Sequence, residues 1–134
     1  MKGFKVVNKC ADGRLNSCTT PTMLGGVEYA FGKVTRPAGG CGPLCVFSNL
    51  LEAAIYAICL EDTRQELNME IYYCDYEPAA ENRVWMNNGA GQIESLLPRG
   101  TVLADSVKLC RRVSGWKINR ELKKALPHWH WRKK

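Results

Sequence analysis

The run Met69-Glu70-Ile71-Tyr72-Tyr73-Cys74-Asp75-Tyr76 constrains the fold more than any other stretch. Side chains alternate across a strand, so Met69, Ile71 and Tyr73 share one face. Glu70, Tyr72, Cys74 and Tyr76 share the other. Both faces carry large groups, which predicts a central strand covered on one side and partly on the other. Glu77-Pro78 ends it, because proline cannot donate to a ladder. A second feature answers the first. Residues 50–62 read as a helix that is apolar nearly all round, through Leu50, Leu51, Ala53, Ala54, Ile55, Ala57 and Ile58, with Tyr56 in the core. Such a helix is buried against a sheet. Ser48 or Asn49 caps it, and Glu52 stands three positions after Asn49, as in a capping box.

Residues 3–8, 27–34, 44–47 and 101–110 read as the other strands. Val27, Tyr29 and Phe31 fall on one face of the second. In the last, Val102 and Ala104 share one face and Val107 and Leu109 the other. That phase change at Asp105-Ser106 predicts a bulge or bend. Residues 10–26 form a polar loop whose cluster Asn16-Ser17-Cys18-Thr19-Thr20 bonds either a ligand or its own backbone. The Gly- and Pro-rich stretch 36–43 lacks the spacing of a phosphate-binding loop and reads as a connection. Residues 79–92 read as a loop in which Trp85 lines a pocket or clamps the loop to the core. A tail helix is expected near residues 119–126, with Asn119 as cap and Pro127 as stop. The expected architecture is α+β: a mostly antiparallel sheet of about five strands on one buried helix, with a basic C-terminal tail helix. Residues 1–134 form a single domain, with 1–110 as core and 111–134 as basic tail. The expected core comprises Val6, Phe31, Val46, Leu51, Ile55, Ile58, Ile71, Tyr73, Val102 and Leu109.

The formal charge of +6 is uneven. Between Arg111 and Lys134 stand nine basic residues and one acid, Glu121, which is +8 and leaves −2 for the first 110 residues. A basic tail either binds nucleic acid or an acidic partner, or is a solvated end. The longest apolar run, 50–60, contains Glu52 and is too short to span a bilayer. With no secretory signal core after Met1, the expected location is cytoplasmic, with the seven cysteines reduced. Cys41 and Cys45 lack a second close pair of ligands, and His128 and His130 are far along the chain, so no metal is expected.

The most suggestive stretch for function is Gly91-Gln92-Ile93-Glu94-Ser95-Leu96-Leu97-Pro98-Arg99-Gly100-Thr101. In an extended backbone Gln92 and Glu94 point to the same side. Pro98-Arg99-Gly100 is a turn into the following strand, with Pro fixing φ and Gly allowing positive φ. Leu-Pro-x-Gly-Thr also serves as a plain turn with no functional content.

This stretch resembles a motif of the Arg–Ser–Glu-class ADP-ribosyltransferases, in which Gln-x-Glu or Glu-x-Glu is followed by Leu-Leu-Pro-x-Gly-Ser/Thr and a strand. The likeness covers roughly residues 44–109, including the Ala53/Ala57 spacing on the helix. It implies that Glu94 holds the nicotinamide ribose of NAD and stabilises developing positive charge, and that Gln92 faces the acceptor. Lys5 stands where the family's first strand carries a phosphate-binding Arg, and Ser48 stands near the place of its Ser-Thr-Ser. Arg14, Arg36 or Arg99 would supply the missing cation if the fold brings one beside Glu94. The arrangement of Gly-Pro-Leu…Phe, Cys-x-Tyr-x-Pro and Leu-Pro-x-Gly-Thr also resembles small uncharacterised phage and prophage proteins, a likeness that names no activity.

Two functions stand as expectations. The first is a non-catalytic, phage-type interaction or nucleotide-binding protein that acts on a host factor, on a degenerate transferase-like scaffold. It requires no cofactor; its partners are a host protein, an NAD- or ADP-ribose-like nucleotide, or nucleic acid through the basic tail. The alternative is an active NAD-dependent ADP-ribosyltransferase with Glu94 as its catalytic glutamate. Paired Asp75 and Glu77, or a thiol paired with His128 or His130, make weaker catalytic sets.

Overall fold

The computed structural model describes residues 1–18, 26–85, 91–93 and 97–126, apart from the side chains of Gln92 and Ile93. Among the described residues nine strands and two helices follow in order: β1 (Lys2–Lys9), β2 (Leu15–Asn16), β3 (Glu28–Tyr29), β4 (Val34–Thr35), β5 (Leu44–Phe47), α1 (Leu50–Thr63), β6 (Met69–Pro78), β7 (Arg83–Trp85), β8 (Gly91–Ile93), β9 (Thr101–Arg112) and α2 (Gly115–Ala125). Among the described residues every strand pairing is antiparallel.

The α+β class is as expected, but the sheet is not flat. Seven strands, rather than about five, form one sheet that closes into a small barrel. β6 pairs with β1 along one edge and with β9 along the other. On the opposite side β5 joins β1 through Phe4 and Phe47, and joins β9 from Leu44 to Phe47. The ring β1–β5–β9–β6 is thereby complete. At its far end β2 and β3 extend β1, and β4 extends β9.

Both faces of β6 are used, as its sequence requires. Tyr72, Cys74 and Tyr76 turn into the barrel with Val7, Leu15, Tyr29, Leu44, Val46, Ala104, Val107 and Leu109. Ile71 turns outward with Val6 and Phe47, where Leu50, Ala53, Ala54 and Ala57 of α1 and Leu122 of α2 cover it. The small residues on α1 let the helix lie close to the barrel wall. Asn49 is the cap, its side chain accepting from the Glu52 N–H at 2.9 Å.

The bulge at Asp105 is present. Glu77 pairs with Ser106 and Pro78 with Ala104, so Asp105 is passed over. Its effect differs from the expectation of two opposite faces: Ala104 and Val107, three apart, both reach the barrel interior. A second irregularity passes over Cys110, between the Tyr73–Arg111 and Cys74–Leu109 pairs. Extra residues on β9 increase local bending, which closing a ring this small demands.

Four further expectations are corrected. The segment read as one strand over 27–34 is two short strands, because Gly32 adopts φ +77° and turns the chain between them. Phe31 lies on that turn and is 58% exposed, resting near Tyr72 rather than in the core. The tail helix begins at Gly115, with Ser114 as cap, rather than at Asn119. The stretch read as a loop over 79–92 contains the hairpin β7–β8. Its Trp85 clamps the hairpin to the Gly-rich connection. The Gly42 N–H donates to the Trp85 carbonyl at 2.9 Å, and a Cβ at Gly42 would fall 2.3 Å from the indole.

Candidate functional site

The residues expected to bind a nucleotide do not converge. Gln92 is extended in β8 opposite Val84, as expected, but its side chain and all of Glu94 lie outside the described residues. Ser48 and Arg99 both lie at the start of α1, each with its own partner. The Ser48 N–H donates to the Gly100 carbonyl at 3.0 Å, and the Arg99 Nε lies 3.3 Å from a Glu52 carboxylate oxygen. The turn that carries Arg99 is the expected one, with Gly100 at φ +84° and the Thr101 N–H donating to the Pro98 carbonyl at 3.1 Å. Arg14 lies elsewhere, paired with Asp12 at 2.7 Å and near Glu28 at 3.7 Å. Arg36 is 3.5 Å from Glu77. His128, His130 and the rest of the tail from Pro127 lie outside the described residues, as do Thr19 and Thr20. Ser17 of the polar cluster bonds its own loop, accepting from the Val27 N–H at 2.9 Å.

Lys5 has an unexpected place. It alternates with Val6, so it points into the barrel and is only 8% exposed. Its ammonium donates to the Cys45 carbonyl at 2.6 Å and stands 5.1 Å from the centre of the Tyr29 ring. The Tyr29 hydroxyl is buried and has no hydrogen-bond partner among the described residues. Tyr29 therefore meets Lys5 through its ring. Burial is the strongest influence on the ammonium and lowers its pKa; Tyr29, Cys45 and Cys18 oppose it, and the net direction is upward. Lys5 is thus a charged group inside the wall, out of reach of a surface ligand.

A different set of side chains gathers on the outer surface, where the end of β9 meets α2. Tyr73 and Arg111 are cross-strand partners. The Arg111 guanidinium lies 4.7 Å from the Tyr73 ring centre and the Lys117 ammonium 5.0 Å from it. Lys117 also donates to the Tyr73 hydroxyl. That hydrogen bond, with burial opposing it and the charges of Lys117 and Arg111 adding to it, holds the phenol below its ordinary pKa of 10.0. One helical turn apart on α2, Arg120 lies 4.7 Å from the ring of Trp116, which is 65% exposed. Lys123 and Lys124 continue the exposed face. Glu121 is the sole acid on α2, and it engages Lys124 at 3.4 Å. Among the described residues Arg111, Lys117, Arg120 and Lys123 have no carboxylate partner.

Neighbouring Arg112 is different. Its Nε lies 3.4 Å from Glu70, which is 7% exposed and also accepts from the Tyr72 hydroxyl at 3.0 Å. Glu70 thus ties the β9 end to β6, and leaves the cations beyond it free to meet something else.

No family model, curated protein or solved structure matches the chain. The surface geometry is therefore the ground for any functional reading. Among the described residues no three His, Cys, Asp or Glu side chains gather as a metal-binding group, and no helix is long and apolar enough to cross a membrane.

Sequence reasoning placed positive charge at this end of the chain but missed the aromatic half of the site. Gly115 reads as a break, which hid the first turn of α2. The Ile118/Leu122 spacing, inward, and the Trp116/Arg120 spacing, outward, carry the signal of an earlier start.

Proposed function

We propose that this chain is a non-catalytic binding protein whose working surface is the cationic and aromatic face formed by β9 and α2, and whose partner is a polyanion. The observation that carries the reading is the cluster Arg111, Lys117, Arg120 and Lys123, four cations without carboxylate partners among the described residues, around two aromatic rings. Like charges held together on a stable scaffold repel one another, and an anionic partner relieves that cost. The basic tail that follows α2 adds to the same charge. A phage-type factor acting on a host component needs such a docking face and no catalytic set.

The test is binding to heparin and to duplex DNA by anisotropy at low salt, wild type against Arg111→Glu/Lys123→Glu. Both residues are exposed, so the fold should tolerate the change. The expected result is a loss of affinity of about tenfold or more, with log K falling linearly against log salt. Wild-type protein with no affinity for heparin or for DNA, duplex or single-stranded, at about 50 mM salt would sink the reading.

A second reading, a nucleotide-binding or transferase-like scaffold, is favoured by one observation: Ser48 is bonded to the turn that carries Arg99 and follows Gln92 and Glu94 in the chain. Calorimetry with NAD and ADP-ribose tests it. Binding that weakens in Arg99→Ala supports it, and no heat with either ligand at millimolar concentration rejects it. In a nicotinamide-release assay the active enzyme would lose about 100- to 1000-fold in Glu94→Gln.

A further inference from the structure

The aromatic groups on the cationic face narrow the polyanion. Phosphate neutralisation alone needs only lysines and arginines. Here the largest exposed ring among the described residues, Trp116, stands within the cationic array, with Arg120 on the next turn. An exposed indole in water is unfavourable by its apolar area, and Trp116 is 65% exposed. The inner residues of α2 cannot turn to cover it. Ile118 packs in, and Leu122 is fully buried among the α1 and β1–β6 side chains. The helix is therefore fixed in rotation, and its Trp116–Arg120–Lys123 stripe is fixed facing outward.

The charge and ring pattern repeats beside it. Tyr73, packed on Phe4 at 5.3 Å, holds Arg111 and Lys117 against its ring as a second cation–aromatic group on the barrel wall. Alternating π-faces and cations are the two elements by which a protein tracks an unpaired nucleic-acid strand. Bases stack on the rings, and phosphates lie on the cations. A duplex does not fit this pattern as well, because its base faces are already stacked on one another. A sulfated polysaccharide or an acidic peptide has charge for the cations but no flat π-surface for the indole.

We propose that this face binds single-stranded nucleic acid, with Trp116 stacking on an unpaired base and Arg111, Lys117, Arg120 and Lys123 neutralising the adjoining phosphates. The inference rests on the polyanion reading above and adds the partner's class.

The experiment uses the full chain and three labelled probes: a pyrimidine single strand of about 12 nucleotides, the duplex of the same length, and heparin. Affinity is read by anisotropy over a salt series for wild type, Trp116→Ala, Trp116→Phe and Arg120→Gln. The single strand should bind tighter than the duplex. Trp116→Ala should weaken single-strand binding by about 10-fold and leave heparin binding unchanged, and Trp116→Phe should recover most of the loss. Arg120→Gln should lower the salt slope for the single strand by about 0.7. If heparin and duplex bind as well as the single strand and Trp116→Ala changes nothing, the inference is overturned while the polyanion reading survives. If the single strand binds best but neither Trp116→Ala nor Arg120→Gln weakens it, the binding site lies elsewhere and the inference is likewise overturned. If none of the three probes binds, both readings fall together.

Discussion

At the scale of single residues, Lys5 shows how a charge is held inside a barrel without a carboxylate. Its direct hydrogen bond is to a carbonyl, that of Cys45, and Cys18 also acts on its charge. The Cys18 thiol is pushed up to about 11, chiefly by burial, with Lys5 opposing and Cys45 adding. The Cys74 thiol is also pushed up to about 11, again chiefly by burial and against Lys5. As pH rises past the ordinary thiol value of 9.0, the unfolded chain sheds these protons while the folded chain keeps them. Stability that is fully present below about 9 is therefore lost as pH climbs through about 11. Lys5, whose net direction is also upward, loses its contribution with the same sign. The loss is at most roughly 3 kcal/mol for each thiol. Urea denaturation at intervals from pH 8 to pH 11 should show it, and a Cys18→Ala/Cys74→Ala variant should show a shallower fall. A wild-type curve flat to pH 11 would contradict the prediction. None of this was legible in the sequence. Lys5 reads as the residue in place of a phosphate-binding Arg on the first strand, and only barrel closure puts its side of β1 indoors. The site expected at Gln92 and Glu94 fared differently: its turn is present as read, at Pro98 to Thr101, while Glu94 lies outside the described residues.

The elements that the sequence announces are those whose signal is local. α1 carries its cap and its apolar surface within sixteen consecutive residues, Ser48 to Thr63, and both are found. β5 is found over the four residues read for it. β2, β3 and β4 have two residues each, and β7 and β8, which pair only with each other as a hairpin, have three; runs this short carry too little local pattern to announce a strand. The helices differ in how they are held, and that gives a testable contrast. Ala54 of α1 is fully buried against the barrel, so Ala54→Leu should cost about 1–3 kcal/mol by overpacking. Leu122 of α2 is fully buried too, and Leu122→Ala should cost about 2–5 kcal/mol by leaving a cavity. Asn49→Ala should cost only about 1 kcal/mol, the value of a cap. Denaturant midpoints measure all three. A Leu122→Ala loss no greater than that of Asn49→Ala would mean that α2 is not part of the folded unit, and that the face containing Trp116 is not fixed.

Over the whole molecule, closure is the property that escaped the sequence. Large groups on both faces of Met69 to Tyr76 fit a covered central strand in a flat sheet, and they fit a barrel wall equally well. What decides between them is curvature, and here it accompanies the residues passed over at Asp105 and Cys110. The bulge was legible at Asp105 because the apolar phase changes there; at Cys110 no apolar signal marks it. Closure has an energetic consequence. β1 sends Val7 into the barrel and Val6 to the helices, and β6 sends Tyr72 and Ile71 the same two ways. Neither core can open without stripping one face from strands that hold the other. The expected outcome is one cooperative unfolding transition, with helix content by circular dichroism and the tryptophan environment by fluorescence lost at the same urea concentration. Val7→Ala, which touches only the barrel interior, and Ala54→Leu, which touches only the helix side, should each move both signals together and leave the slope with denaturant unchanged. If Ala54→Leu moves the helix signal alone, the two cores are separate units, and the surface between β9 and α2 has no rigid support.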